Sequence, residues 1–205
     1  MKSLSANRNA LHLSVRQPGM DQLFAPWRIE WVARDGDQDT EDADDDRCPF
    51  CALPERDDDA ESKIVARSEH SFVLLNNYPY APGHVMVIPY RHTGDFADLT
   101  DEELLDHARL KSRTLDALDA AFDPHGFNAG ENLGGSAAGG SIDDHLHTHV
   151  VPRWNGDTNF MPVISDTKVL VQGLEESYGQ LFDAFAELDG AVADGDEDAV
   201  FFELD

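Results

Sequence analysis

Apolar positions along the chain fall into short strand-length runs and two longer stripes of helical period. Ile64-Val65-Ala66-Arg67 and Ser71-Phe72-Val73-Leu74-Leu75-Asn76 read as two strands with a turn between them. Asn77-Tyr78-Pro79-Tyr80-Ala81-Pro82-Gly83 breaks the pairing and turns the chain into a third strand from His84 to Ile88. Thr100-Asp101-Glu102-Glu103 is a capping box, in which a hydroxyl and a carboxylate satisfy the first free amides of a helix. Leu104, Ala108, Leu115, Leu118 and Phe122 follow at helical spacing, and Asp123-Pro124-His125-Gly126 ends the element. Phe127 to Leu133 reads as a strand, as does the run from His145 to Val151, and Phe160 to Ile164 reads as a last one. A second stripe, Val171, Leu174, Tyr178, Leu181, Phe185 and Leu188, is weakened by Gly173 and Gly179. The pattern predicts an α+β fold: an antiparallel sheet of about five strands, a long helix on one face and a C-terminal helix.

The polar stretches set the domain limits. We expect one domain over residues 20–188, interrupted by a solvated acidic linker at 35–46 and followed by a disordered acidic tail at 189–205, in which only Val200-Phe201-Phe202 has the apolar character to dock. The linker lacks the glycine turn and closing glutamate of an EF-hand calcium loop. Residues 1–19 hold Lys2, Arg8 and Arg16 and no acid, so they read either as a disordered basic extension or as sequence upstream of a true start at Met20. Before the linker, Leu23-Phe24-Ala25-Pro26-Trp27-Arg28-Ile29-Glu30-Trp31-Val32 concentrates aromatic surface, expected as a short helix clasping the core or a partner subunit.

Charge narrows the class of partner. With 41 Asp and Glu against 15 Lys and Arg the formal net charge is -26, which disfavours phosphate-neutralising contact with nucleic acid or an anionic membrane. The acids extend into the predicted helices, a composition suited to a protein kept hydrated in strong salt, and we expect a halophilic cytoplasm. No run approaches the roughly 18 apolar residues of a membrane span.

Two stretches carry chemistry. Cys48-Pro49-Phe50-Cys51 holds the only two cysteines, which from a tight turn can supply half of a tetrahedral zinc site, with His92 and His145 as candidate remaining ligands. A redox dithiol would want a βαβ context that the pattern lacks, and two inert thiols are the plain alternative. In Asp143-Asp144-His145-Leu146-His147-Thr148-His149-Val150-Val151-Pro152-Arg153-Trp154, strand alternation sends His145, His147 and His149 to one face and Leu146, Thr148 and Val150 to the other. A carbonyl accepting Nδ1–H would leave Nε2 of the middle ring, His147, free to attack an electrophilic phosphorus while a neighbour stabilises the phosphoryl oxygens. The same row could instead chelate a metal, or be satisfied core histidines, which would waste burial on polar groups. Gly134-Gly135-Ser136-Ala137-Ala138-Gly139-Gly140-Ser141 leads into it, a small-residue loop that can approach an anion or simply connect.

His145-Leu146-His147-Thr148-His149-Val150-Val151 resembles the signature of the histidine triad (HIT) superfamily, with Thr148 as the less apolar filler. The resemblance runs from Leu23 to Trp154 and includes Phe24-Ala25-Pro26-Trp27-Arg28, Cys48-Pro49-Phe50-Cys51, Pro82-Gly83-His84 and Pro152-Arg153-Trp154. It is strongest to the branch of diadenosine tetraphosphate phosphorylases and fragile-histidine-triad-like hydrolases. It implies a homodimer whose sheets join edge to edge, with His147 as nucleophile, His149 as its phosphate-contacting partner and His145 as first triad position. It implies structural zinc on Cys48, Cys51, His92 and His145, ribose contact by Asn76, a base bordered by Leu74, His84 and Met86, and phosphate contact by Asn132. Where the hydrolases place a glutamine, this sequence has Ser141, which leaves water and inorganic phosphate both open as acceptor. The reaction implied is hydrolysis or nucleotidyl transfer on a dinucleoside polyphosphate through a nucleotidyl-histidine. Readings from other classes are a nucleotide-sensing binding protein with weak catalysis and a metal-dependent hydrolase with the triad as ligands.

Overall fold

The computed structural model describes residues 47–134, 138, 142–157, 172–193 and 198–204. The Trp27/Trp31 segment, the 35–46 linker, the Phe160–Ile164 run, Val171 and Ser141 therefore lie outside the described residues.

A seven-stranded sheet organises the chain, in the order β4-β5-β3-β2-β1-β7-β6. Its strands are β1 (Ile64–Arg67), β2 (Ser71–Leu75), β3 (Val85–Pro89), β4 (Gly126–Gly130), β5 (Thr148–Arg153), β6 (Ala191–Val192) and β7 (Val200–Phe202). Among the described residues four α-helices accompany it: α1 (Pro49–Ala52), α2 (Asp59–Ser62), α3 (Asp101–Phe122) and α4 (Leu174–Ala186). Five of the six strand runs read from the pattern appear as β1 to β5, which pair antiparallel. The additional two correct the expectation of a disordered tail: β7 docks parallel to β1 and β6 folds back on β7, because Val200 and Phe202 bury their side chains in the core.

Alternation along β1, β2 and β3 divides the core in two. Val65, Val73, Leu75, Val85, Val87 and Val150 face α3 and α4, where they meet Leu110, Leu118, Leu181 and Phe185. Ile64, Phe72, Leu74, Met86 and Ile88 face the other way and gather Phe50 and Ala199. Each buried Leu or Phe truncated to Ala would cost about 2–5 kcal/mol, so both faces are anchored. The candidate site sits on the second face.

Helix α3 starts as its sequence dictates, with Thr100 and Glu103 completing a reciprocal capping box. Its buried stripe differs from expectation. Leu104 and Ala108 are exposed, while Asp106, His107, Leu110, Thr114, Ala117 and Leu118 are buried. The inward turn next to the sheet is polar because Asp106 accepts from the Ser68 hydroxyl at 2.7 Å and His107 reaches Thr148 at 2.8 Å. At the other end, Gly83 has φ +71°, and a Cβ there would lie 2.5 Å from the Phe122 ring. Only glycine allows the turn into β3 to seat against the helix end.

The tail is fastened by a buried ion pair. Arg67 donates to Asp59 through Nε at 2.9 Å and NH2 at 2.5 Å, and also reaches the Pro54 carbonyl and the Tyr90 hydroxyl. Burial would lower the pKa of Arg67, but the hydrogen bonds to Asp59 and Tyr90 outweigh it and hold the guanidinium charged. Asp59 Oδ2 then accepts the Ala199 amide at 3.0 Å, just before β7 begins.

Candidate active site

Cys48 is the N-cap and Cys51 lies within the single turn of α1, started by Pro49, and the turn brings both thiols to His92 and His145. One donor atom each from Cys48, Cys51, His92 and His145 lies within 4.8 Å of the others. Cys51 Sγ is 3.2 Å from His92 Nδ1, and His145 Nδ1 is 3.4 Å from Cys48 Sγ and 3.6 Å from Cys51 Sγ. His145 Nε2 donates to the Pro89 carbonyl at 2.8 Å, which fixes the proton there and turns the Nδ1 lone pair to the thiols. Burial lowers the pKa of His145, against the opposing pull of the Pro89 carbonyl and with added repulsion from His92, so the ring is a neutral donor. Burial and the neighbouring Cys48 push the Cys51 thiol up to about 11, a cost that a bound dication would reverse. The set fits a tetrahedral soft-metal site by donor type and spacing.

Behind it stands a carboxylate that the sequence reading missed. His92 Nε2 is 3.5 Å from Asp144 Oδ2, so Asp144 backs the ring whose other nitrogen faces Cys51. Gly94 makes room for this arrangement: a Cβ would lie 2.9 Å from the Asp143 carbonyl. An acidic pair beside a histidine in sequence was the available signal.

The three histidines are not one strand, which corrects the expected alternating row. β5 begins at Thr148, so only His149 belongs to it. The reason lies in β3. Pro89 has no amide to continue the ladder, its carbonyl is taken by His145, and the Leu146 amide turns to the Thr93 carbonyl at 2.6 Å. Leaving the sheet allows His147 Nδ1 to donate to the His145 carbonyl at 2.8 Å. A carbonyl can only accept, so Nδ1 carries the proton and Nε2 carries a lone pair.

His149 is oriented from the other side. The Tyr80 amide donates to His84 Nδ1 at 3.1 Å, so His84 Nε2–H points to His149 Nδ1, 3.0 Å away. That chain assigns the proton on His149 to Nε2, making it a donor beside His147, whose ring centroid is 5.0 Å away. His84, expected at the border of a base, is fully buried and stacked under Tyr80 at 4.8 Å. Phe50, given no role of its own by the sequence, packs edge-on against His145 at 5.5 Å and His147 at 5.2 Å. Its aromatic character inside the Cys-Pro-Phe-Cys turn was the overlooked signal.

Leu74, Met86 and His149 lie in one row across β2, β3 and β5 by register. Asn76 lies just past the end of β2, two residues beyond Leu74, with its Nδ2 3.6 Å from Met86 Sδ and its Oδ1 accepting the Tyr78 amide at 2.8 Å. Asn132 follows the end of β4, whose Gly130 pairs with His149. Of the triad only His145 enters the four-donor cluster, so the alternative of a metal chelated by all three rings is not what the described residues form. The arrangement supplies a row of oriented imidazoles: one lone pair flanked by one donor, at the end of an apolar shelf.

Comparison with known proteins agrees with this geometry. A model of the HIT domain matches residues 57–156. The AP-4-A phosphorylase of Mycobacterium tuberculosis is 40% identical over 163 residues, covering 77% of this chain and 80% of that protein. The asymmetrical bis(5'-nucleosyl)-tetraphosphatase of Schizosaccharomyces pombe is 30% identical over 120 residues, covering 58% of this chain and 62% of that one. Among solved structures, a zinc-bound histidine triad family protein from Mycobacterium smegmatis superposes with a TM-score of 0.54 at 29% identity, covering 68% of this chain and 94% of that chain.

Proposed function

The chain belongs to the HIT family, and from that premise we propose that it is an enzyme that splits dinucleoside polyphosphates through a nucleotidyl-His147 intermediate, with inorganic phosphate as acceptor. The observation that carries the reading is the His147 Nδ1–H bond to the His145 carbonyl, which presents Nε2 as a nucleophile beside the donor face of His149. In the first step Nε2 attacks the α-phosphorus, a P–N bond forms, and the bond to the bridging oxygen breaks to release the nucleotide bearing the remaining phosphates. In the second step a phosphate oxygen attacks the same phosphorus, the P–N bond breaks, and a nucleoside diphosphate leaves with His147 restored. His149 Nε2–H stabilises the non-bridging oxygens. Leu74 and Met86 border the base, Asn76 contacts the ribose, and Asn132 contacts phosphate. The similarity to AP-4-A phosphorylase supports phosphate over water.

Cys48, Cys51, His92 and His145 are proposed to hold structural zinc, which when bound ties α1 to the segment carrying the triad. A homodimer is proposed through the β4 edge, supported by the exposure of Asn128, Ala129 and Gly130 there. Among the described residues no helix is long and apolar enough to cross a membrane. A cytoplasm rich in salt is the setting proposed from the charge of -26.

Incubation with diadenosine tetraphosphate in molar salt, with and without phosphate, tests the reading. The expected products with phosphate are ADP and ATP in equal amounts. AMP as sole nucleotide partner of ATP in the presence of phosphate would overturn the acceptor, and undiminished turnover by His147→Asn would overturn the mechanism.

A further inference from the structure

Behind the triad, on the helix side of β5, lies a buried polar chain that the mechanism above does not use. His107 Nε2 is 2.8 Å from Thr148 Oγ1, and Thr148 Oγ1 donates to Glu131 Oε1 at 2.7 Å. The one hydroxyl proton goes to the carboxylate, so His107 must donate from Nε2 and its Nδ1 keeps a lone pair. That Nδ1 is buried and has no hydrogen-bond partner. Such an orphan costs about 1–3 kcal/mol. Burial, with Lys111 nearby, pushes the His107 pKa down to about 4, so the ring remains neutral and keeps this tautomer at neutral pH.

Packing alone does not call for this chain. Thr148 and His107 stand beside the apolar core formed by Val87, Leu110 and Val150, where valine would fill the place of Thr148 at nearly the same volume. The register shows what the polar groups add. The β4–β5 ladder pairs Gly130 with His149 and stops there. Where the backbone ladder ends, the side-chain bond between Thr148 and Glu131 continues the pairing by one residue. Its contact with Thr148, which also meets His107, puts the Glu131 carboxylate on the helix side of β5. Asn132 and His147 are the residues bonded next to Glu131 and Thr148, so the bond ties their backbones together at the end of the ladder.

We propose that His107, Thr148 and Glu131 form a latch that holds Asn132 against His147, making the three positioning residues for nucleotidyl transfer although none touches substrate. The proposal rests on the function given above. It also explains the carboxylate: the latch keeps the Glu131 charge on the face away from the incoming phosphates.

A double-mutant cycle between Thr148→Val and Asn132→Ala tests it. Thr148→Val is expected to lower kcat/KM by about tenfold or more, through misplacement of a contact group. Thr148→Ser, which restores the hydroxyl, is expected to lie within about twofold of wild type. In the Asn132→Ala background Thr148→Val is expected to cause no further loss, because the hydroxyl acts through Asn132. Melting temperatures on the same samples are expected to fall by several degrees for Thr148→Val, because the buried His107 Nε2–H loses its acceptor, and to fall equally in the Asn132→Ala background, which separates that structural cost from the kinetic coupling. Wild-type turnover by Thr148→Val, or losses that multiply in the double variant, would overturn the latch. Turnover retained by His147→Asn would instead overturn the covalent mechanism, with the coupling between Thr148 and Asn132 still readable in the cycle. A wild-type protein without turnover would sink both.

Discussion

His145 and His147 are two residues apart and have been given opposite tautomers. At His145 the Pro89 carbonyl takes the Nε2 proton, so Nδ1 faces the thiols of Cys48 and Cys51. At His147 the carbonyl of His145 takes the Nδ1 proton, so Nε2 is the nitrogen with the lone pair. One ring is arranged as a ligand and its neighbour as a nucleophile, and the difference is made by which carbonyl each ring meets. Residue type supplies an imidazole; the backbone beside it decides which nitrogen is reactive. The two roles are also joined, because the carbonyl that orients His147 belongs to the proposed metal ligand.

The sharpest way to break this contrast is His147→Asn, expected to remove turnover by a factor on the order of a thousand or more while nucleotide binding and metal content remain. Product analysis beside metal analysis checks both halves. Next in size, Cys51→Ser is expected to abolish zinc retention and lower Tm by roughly ten degrees, with activity falling as the segment bearing the His145 carbonyl loosens. A Cys51→Ser protein with full metal content and unchanged melting would refute the ligand assignment. His84→Ala should then lower kcat by about 10- to 100-fold, together with a fall of several degrees in Tm from the emptied buried site, because His149 loses the donor that fixes its proton on Nε2. Kinetics that change in KM alone would count against that orientation. The smallest effect concerns a third ring with a fixed tautomer, His107. Its pKa is about 4 folded against 6.5 for an ordinary histidine, so the unfolded chain takes up a proton that the folded chain refuses. The associated stability is complete above pH 6.5 and is lost as pH falls toward 4. Between pH 7 and 5.5 that loss is roughly 1 kcal/mol, measurable as the difference in denaturant midpoints between wild type and His107→Gln. Equal pH slopes in the two proteins would show that His107 takes up its proton in the fold as readily as in the unfolded chain.

Much of this was legible in the residues themselves. The capping box at Thr100 and Glu103 set the start of α3, and the β-branched runs set β1, β2 and β3, because both signals are local. Cys48-Pro49-Phe50-Cys51 pointed to His92 and His145 because only a few histidines could complete the donor set. The break between His147 and β5 was not foreseen, although Pro89 within the β3 run advertised that the ladder would stop there. The inward face of α3 was misjudged for a different reason. Periodicity counts apolar residues, whereas Asp106 and His107 are buried through partners on Ser68 and Thr148 that sequence does not reveal. Phe50 and Asp144 fell into place only when chain segments far apart in sequence met.

The pairing of β7 with β1 joins Val200 to Ala66, and the Ala199 amide to Asp59. A nascent chain emerging from the ribosome therefore holds β1 with one side unpaired through the synthesis of well over a hundred residues. Until Val200 appears, that side of β1 is an open edge with unpaired amides and carbonyls, so the sheet closes there only once the C-terminal segment has been made.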